Sequence, residues 1–172
     1  DSQGFCTVGV QHIKFHEIRG RNVVTKKGIV GHEKNAELQT FLSLGYAAEF
    51  AVAGTPDGSL YRFDGRNLET VVREAHDGLI NTIYSGEDRL ITGGYDGKVK
   101  LWSSPDLDVV GEFNLITLGC FSPICQAVYL SYDKSMVLAA TQGSEIFEIL
   151  SKDGTNVHGA GKGPVVQGHC QD

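Results

Sequence analysis

Leu90 to Ser103 reads LITGGYDGKVKLWS, and these residues spell a strand, a tight turn and a second strand. Leu90 to Thr92 is an apolar, β-favouring run. Gly93, Gly94, Asp96 and Gly97 form a turn cluster, because Asp-Gly supplies the positive φ that a tight hairpin demands. Beyond it, Val99 and Leu101 alternate with Lys98, Lys100 and Trp102, so the second strand has one apolar face and one face that stays polar up to its last residue.

The pattern recurs. Ala53 to Phe63 (AGTPDGSLYRF) overlays Thr92 to Trp102 (TGGYDGKVKLW) without a gap, about forty residues earlier. Ala139 to Ile149 (AATQGSEIFEI) matches more loosely, and Thr7 to His16 (TVGVQHIKFH) matches with a shortened turn. A period near forty residues is that of four-stranded propeller blades. The expected fold is therefore all-β: about four blades, near residues 5–30, 38–74, 76–114 and 123–168.

The glycine-rich turn, the Asp-Gly and the strand ending in Leu-Trp resemble a WD repeat, with Ala75-His76 in place of Gly-His. Longer phrases resemble the echinoderm microtubule-associated-protein-like branch. They are CTVGVQHIKFHEI (Cys6–Ile18), KKGIVG (Lys26–Gly31), LQTFLSL (Leu38–Leu44), TQGSEIFEI (Thr141–Ile149) and VVQGHC (Val165–Cys170). His16 and Phe63 depart from the family by standing where it usually has Trp.

The resemblance implies a protein-binding module that engages tubulin and works on microtubules in the cytoplasm. It also implies a buried structural network of His76, Thr92, Asp96 and Trp102. Acid, imidazole and hydroxyl are the types of a catalytic relay, but a satisfied buried network that fixes one packing is the expected role. With Ala53 and Phe63 in the next blade, that network is expected once. Pro56, Tyr95 and Gln142, at the turn position before the Asp, are the candidate partner-binding residues; Tyr95 leads them because exposed aromatics anchor interfaces. A scaffold that bridges other proteins without touching tubulin is the alternative.

Composition bounds the remaining choices. At 172 residues, 41% hydrophobic and 21% charged, the chain reads as an ordinary globular domain. Twenty-two glycines and four prolines suit short strands joined by tight turns. No apolar run is long enough for a membrane span, the N-terminus lacks signal-peptide regions, and a cytosolic location is expected. A net charge of −6 argues against nucleic-acid or acidic-membrane partners. Blade one is locally basic, with Lys14, Arg19, Arg21, Lys26 and Lys27 against Glu17. Those charges read either as protection of an outer edge or as a patch for an acidic partner.

Cys6, Cys120, Cys125 and Cys170 show neither CxxC nor disulfide-framework spacing, so free thiols are expected and a zinc site is not. His12 and His16 are four apart on a strand, about 13 Å, too far to share a metal. Gly159 to Gly163 lacks the Ser or Thr of a phosphate loop. No nucleophile or metalloprotease signature occurs, so neither an enzyme nor a cofactor is expected.

In order, the expected strands are Phe5–Val8, Ile13–Ile18 and Asn22–Thr25; then Gln39–Leu44, Phe50–Ala53, Ser59–Phe63 and Leu68–Arg73. Blade three uses Leu79–Tyr84, Arg89–Thr92, Lys98–Trp102 and Val109–Phe113. Blade four uses Ile124–Ser131, Met136–Ala140, Glu145–Leu150 and Pro164–Gln167, with Gly154–Gly163 as a flexible loop. Blade one begins in mid-repeat and Gly168-His169 opens a further one, so further blades of the same chain are expected on both sides.

Overall fold

The computed structural model describes residues 3–31, 36–158 and 163–168, and all the regular structure among them is β. Blade one has three strands, β1 (Gln3–Gly9), β2 (His12–Arg19) and β3 (Asn22–Lys27). Blade two is β4 (Ser43–Ala47), β5 (Phe50–Gly54), β6 (Leu60–Asp64) and β7 (Asn67–Val72). Blade three is β8 (Ile80–Ser85), β9 (Arg89–Gly94), β10 (Lys98–Ser103) and β11 (Val109–Asn114). Blade four is β12 (Cys125–Leu130), β13 (Met136–Thr141), β14 (Glu145–Leu150) and β15 (Val166–Gln167). Each sheet is an antiparallel meander with its strands in chain order.

First strands meet first strands: β4 lies beside β8, and β8 beside β12. The sheets therefore stack face to face with their first strands grouped together. This arrangement needs residues that are apolar on both faces, and β9 and β10 supply them. Leu90 and Trp102 pack with Val52, Leu60 and Ile80 toward blade two. Ile91, Val99 and Leu101 pack with Val137, Phe147 and Ile149 toward blade four. A third core joins blades one and two through Ile13, Phe41, Ala51, Tyr61 and Phe63. The open faces of the two end sheets are partly apolar: Phe5 is 45% and Ile18 40% exposed on blade one, Ile146 37% and Val166 49% on blade four.

Two expectations fail. The first strand of blade two does not run over Gln39–Leu44 but over Ser43–Ala47. Residues 39–42 are diverted to join blades: the Phe41 amide donates to Gly9 O (3.1 Å) and its ring is buried against Tyr61 and Phe63. The Gly154–Gly163 insert is also not free along its first half. Asn156 is buried and bridges Ile149, while Leu150 N donates to Thr155 O and Val157 N to Glu148 O. This segment therefore covers the edge of β14 ahead of β15. Residues 159–162 of the insert, and His169 and Cys170, lie outside the described residues.

Candidate functional site

Thr92 lies on β9 opposite Lys100 of β10, with Trp102 on the same face and His76 arriving from the loop before β8. His76 Nδ1 is 3.0 Å from Asp96 Oδ1, His76 Nε2 is 2.7 Å from Thr92 Oγ1, and Trp102 Nε1 is 2.9 Å from Thr92 Oγ1. One tautomer satisfies every group. The indole N–H donates to Thr92, the hydroxyl donates to Nε2, and Nδ1–H donates to the carboxylate. Asp96 also accepts from the amides of Asp77 and Lys98, each at 3.1 Å.

The structure thus brings all four network residues together. Thr92 is fully buried, and His76 and Trp102 nearly so. The hydroxyl has no exposed face and its proton is already committed, so this acid–imidazole–hydroxyl set holds no accessible nucleophile. Space is tight as well. A Cβ on Gly94 would stand 2.4 Å from His76 Nδ1 and 2.6 Å from Asp96 Oδ1. Glycine at 94 is what lets the hairpin close on the imidazole.

Among the described residues the His–Thr–Asp–Trp set occurs in blade three alone, but the other blades carry hydrogen-bonded polar sets of their own, of different composition. In blade four the buried Glu145 accepts from the Phe121 amide (3.0 Å), the Ser122 amide (3.3 Å), Thr141 Oγ1 (3.1 Å) and the Cys120 thiol (2.8 Å). In blade two Asp57 accepts from Thr55 Oγ1 and the Ser59 amide, and at 3.3 Å from Gln39 Nε2. Each of blades two, three and four therefore has a carboxylate at its second hairpin, bonded to the loop that leads into its own first strand. Blade one uses a different set: Thr7 Oγ1 is 3.0 Å from His16 Nε2, and His16 Nδ1 is 2.9 Å from Thr25 Oγ1. Thr7 and His16 occupy the positions of Thr92 and Trp102, so an imidazole nitrogen replaces the indole nitrogen. Phe5 stacks on that imidazole at 4.5 Å.

Burial pushes the Asp96 carboxyl up, but the hydrogen bonds it accepts from His76 and from the amides of Asp77 and Lys98 outweigh it and hold it below the usual range. Burial likewise opposes, and hydrogen bonds overcome it, at Asp57 and Glu145. Groups lowered in the folded state stabilise it fully above their unfolded values, about 3.9 for Asp and 4.3 for Glu. That stability is lost as pH falls through the folded values. Urea unfolding followed by Trp102 fluorescence is expected to give a constant midpoint from neutral pH to about 5. The midpoint should fall below about pH 4, and Asp96→Asn should make that fall shallower. An unchanged acid limb in the variant would dissociate Asp96 from the effect.

The structure places the three candidate partner-binding residues at equivalent points. Pro56, Tyr95 and Gln142 sit in the β5–β6, β9–β10 and β13–β14 turns, at the same end of the stack. Tyr95 is 52% exposed while its amide donates to Leu79 O at 2.8 Å. Phe121, which the sequence reading missed, is more exposed still, at 80%. It belongs to the loop fixed by Glu145, and Pro123 of that loop packs against Gly97 of the Tyr95 hairpin.

Cys6, Cys120 and Cys125 are free thiols. Burial raises all three, and beside Glu145 the Cys120 thiol is pushed up to about 12. Among the described residues no group of three or more His, Cys, Asp or Glu is arranged to hold a metal. Neither is there a helix long and apolar enough to cross a membrane.

No family model matches the chain. Its fold is that of WD40-type β-propellers. It is similar to the Cps50 (Swd1) β-propeller domain of Myceliophteria thermophila, with TM-score 0.74 and 15% identity over 93% of this chain and 58% of that one. It is also similar to the WD40 β-propeller domain of Doa1, with TM-score 0.72 and 12% identity over 92% of this chain and 50% of that one. In sequence it is 27% identical over 147 residues to the Mus musculus cilia- and flagella-associated protein 44, a match covering 80% of this chain and 8% of the mouse protein. The four blades thus span about half the length of the propeller structures they match.

Proposed function

We propose that this chain is a non-catalytic protein-binding part of a microtubule-associated protein and engages tubulin through its propeller surface in the cytoplasm. The observation that carries the binding role is Tyr95, an exposed aromatic on a hairpin whose Tyr95 and Lys98 amides and Asp96 carboxylate are all hydrogen-bonded. A side chain on a fixed mount loses little freedom on binding. The resemblance of Cys6–Ile18 and the other phrases to the microtubule-associated branch supports tubulin as the partner. The likeness to a cilia- and flagella-associated protein supports a cytoskeletal setting. The sealed Thr92 hydroxyl supports a structural and not a nucleophilic role for the His76–Thr92–Asp96 set. Further blades of the same chain cover the open faces that carry Phe5 and Ile146.

Co-sedimentation with microtubules across a salt series tests this reading. Wild-type protein is expected to pellet, less so as salt rises, and Tyr95→Ala to pellet less at every salt concentration. A protein that stays in the supernatant at low salt while still capturing another protein fits the bridging-scaffold alternative and removes the tubulin reading.

A further inference from the structure

Blade one differs from blade three in how it balances charge. In blade three Lys100 of β10 stands opposite Glu112 of β11, and both Lys98 (2.7 Å) and Lys100 (3.2 Å) are paired with that carboxylate. At the corresponding place in blade one Lys14 stands opposite Lys27. Like charges directly opposite each other destabilise a sheet. Lys26 follows on the other face, where it meets the β6–β7 turn of blade two. There Phe15, Glu17, Val24 and Lys26 of blade one face Gly65 and Arg66 across a groove of about 340 Å³.

The groove has a firm wall and an apolar floor. Ile29 N donates to Arg66 O (2.7 Å) and Leu68 N to Ile29 O (2.8 Å), which locks the chain after β3 onto the start of β7. Among the described lining residues Glu17 is the one acid; it is bonded to Arg19 at 2.9 Å and lies within the field of Lys26, which leaves Arg66 as the cation without an acidic neighbour in the lining. Lys26 and Arg66, both exposed, form no ion pair among the described residues. The residues lining the groove belong to blades one and two, and His16 joins them from the strand that carries Phe15.

We propose that this rim groove binds an acidic peptide segment of a protein partner, with Lys26 and Arg66 receiving its carboxylates and Phe15 and Val24 an apolar side chain between them. The inference rests on the protein-binding reading and gives it a second surface, separate from the Tyr95 turn. Charge complementarity selects the occupant: blade one is the basic blade of a chain whose net charge is −6. Cationic and aliphatic groups side by side fit an acidic segment that also carries an apolar residue.

The test is fluorescence anisotropy with a labelled synthetic peptide rich in glutamate around one leucine. Lys26→Glu and Arg66→Glu are each expected to weaken binding about tenfold or more. Lys152→Glu, at a side chain 75% exposed on blade four, is expected to leave it unchanged. Far-ultraviolet circular dichroism checks that each variant is folded. Absence of binding, binding by both groove variants at wild-type strength, or equal loss in Lys152→Glu overturns the proposal. No tubulin is present, so the groove and the tubulin reading fail separately: peptide binding without co-sedimentation removes only the latter.

Discussion

Trp102→Ala is expected to lower folding stability by about 3–5 kcal/mol, the range for deleting a large buried aromatic. The side chain is 1% exposed and fills the core between blades two and three beside Leu90, Ile80 and Leu107. Its loss removes that packing and also leaves Thr92 Oγ1, which is fully buried, without its indole donor. Trp102→Phe separates the two effects. It restores most of the apolar contact and forfeits the hydrogen bond, so a cost nearer 1 kcal/mol is expected. Urea unfolding followed by circular dichroism makes the comparison, since Trp102 is the sole tryptophan. A Trp102→Ala protein within about 1 kcal/mol of wild type would remove this side chain from the forces joining the two blades.

Glu145→Ala carries the second large effect. The carboxylate is 2% exposed and accepts from two backbone amides, a hydroxyl and a thiol. A buried donor left without an acceptor costs about 1–3 kcal/mol, and water entering beside the loop recovers part of it, so a net loss of about 3 kcal/mol is expected. A chemical readout accompanies it. Burial first and then Glu145 push the Cys120 thiol up to about 12. Without the carboxylate and with the loop released, Cys120 is expected to react faster with a thiol reagent at neutral pH. Glu145→Ala with wild-type stability and an unreactive Cys120 would show that the loop is held by something else.

Much of this architecture was legible in local chemistry. The Asp-Gly turn, the alternation of Val99 and Leu101 with lysines, and the near-forty-residue recurrence depend on neighbours in sequence, so hairpins and blades could be read directly. The first strand of blade two could not, because its start is set by Phe41 reaching back to Gly9 and Tyr61, contacts made only after the sheets stack. The His76–Thr92–Asp96–Trp102 set was readable because all four residues match one motif. Its counterpart in blade four escaped because Glu145 lies two positions beyond the place of Asp96 and because two of its donors are backbone amides, which every residue but proline has. Blade one is also legible: Thr7 and His16 stand in the sequence where Thr92 and Trp102 do, and a ring N–H serves in either. The acidic-peptide groove depends on Arg66 crossing from another blade, which nothing near Lys26 announces.

The carboxylates at the second hairpins impose a rule of chemistry and leave the spelling loose. An aspartate with histidine, an aspartate with glutamine and a glutamate with a thiol and two amides all anchor an incoming loop, as long as a negative oxygen reaches it. Such a repeat can drift letter by letter within this one chain while its backbone stays put. Within this chain, the likeness of one blade to the next is better traced by where the acid of the second hairpin lands than by the letters that surround it.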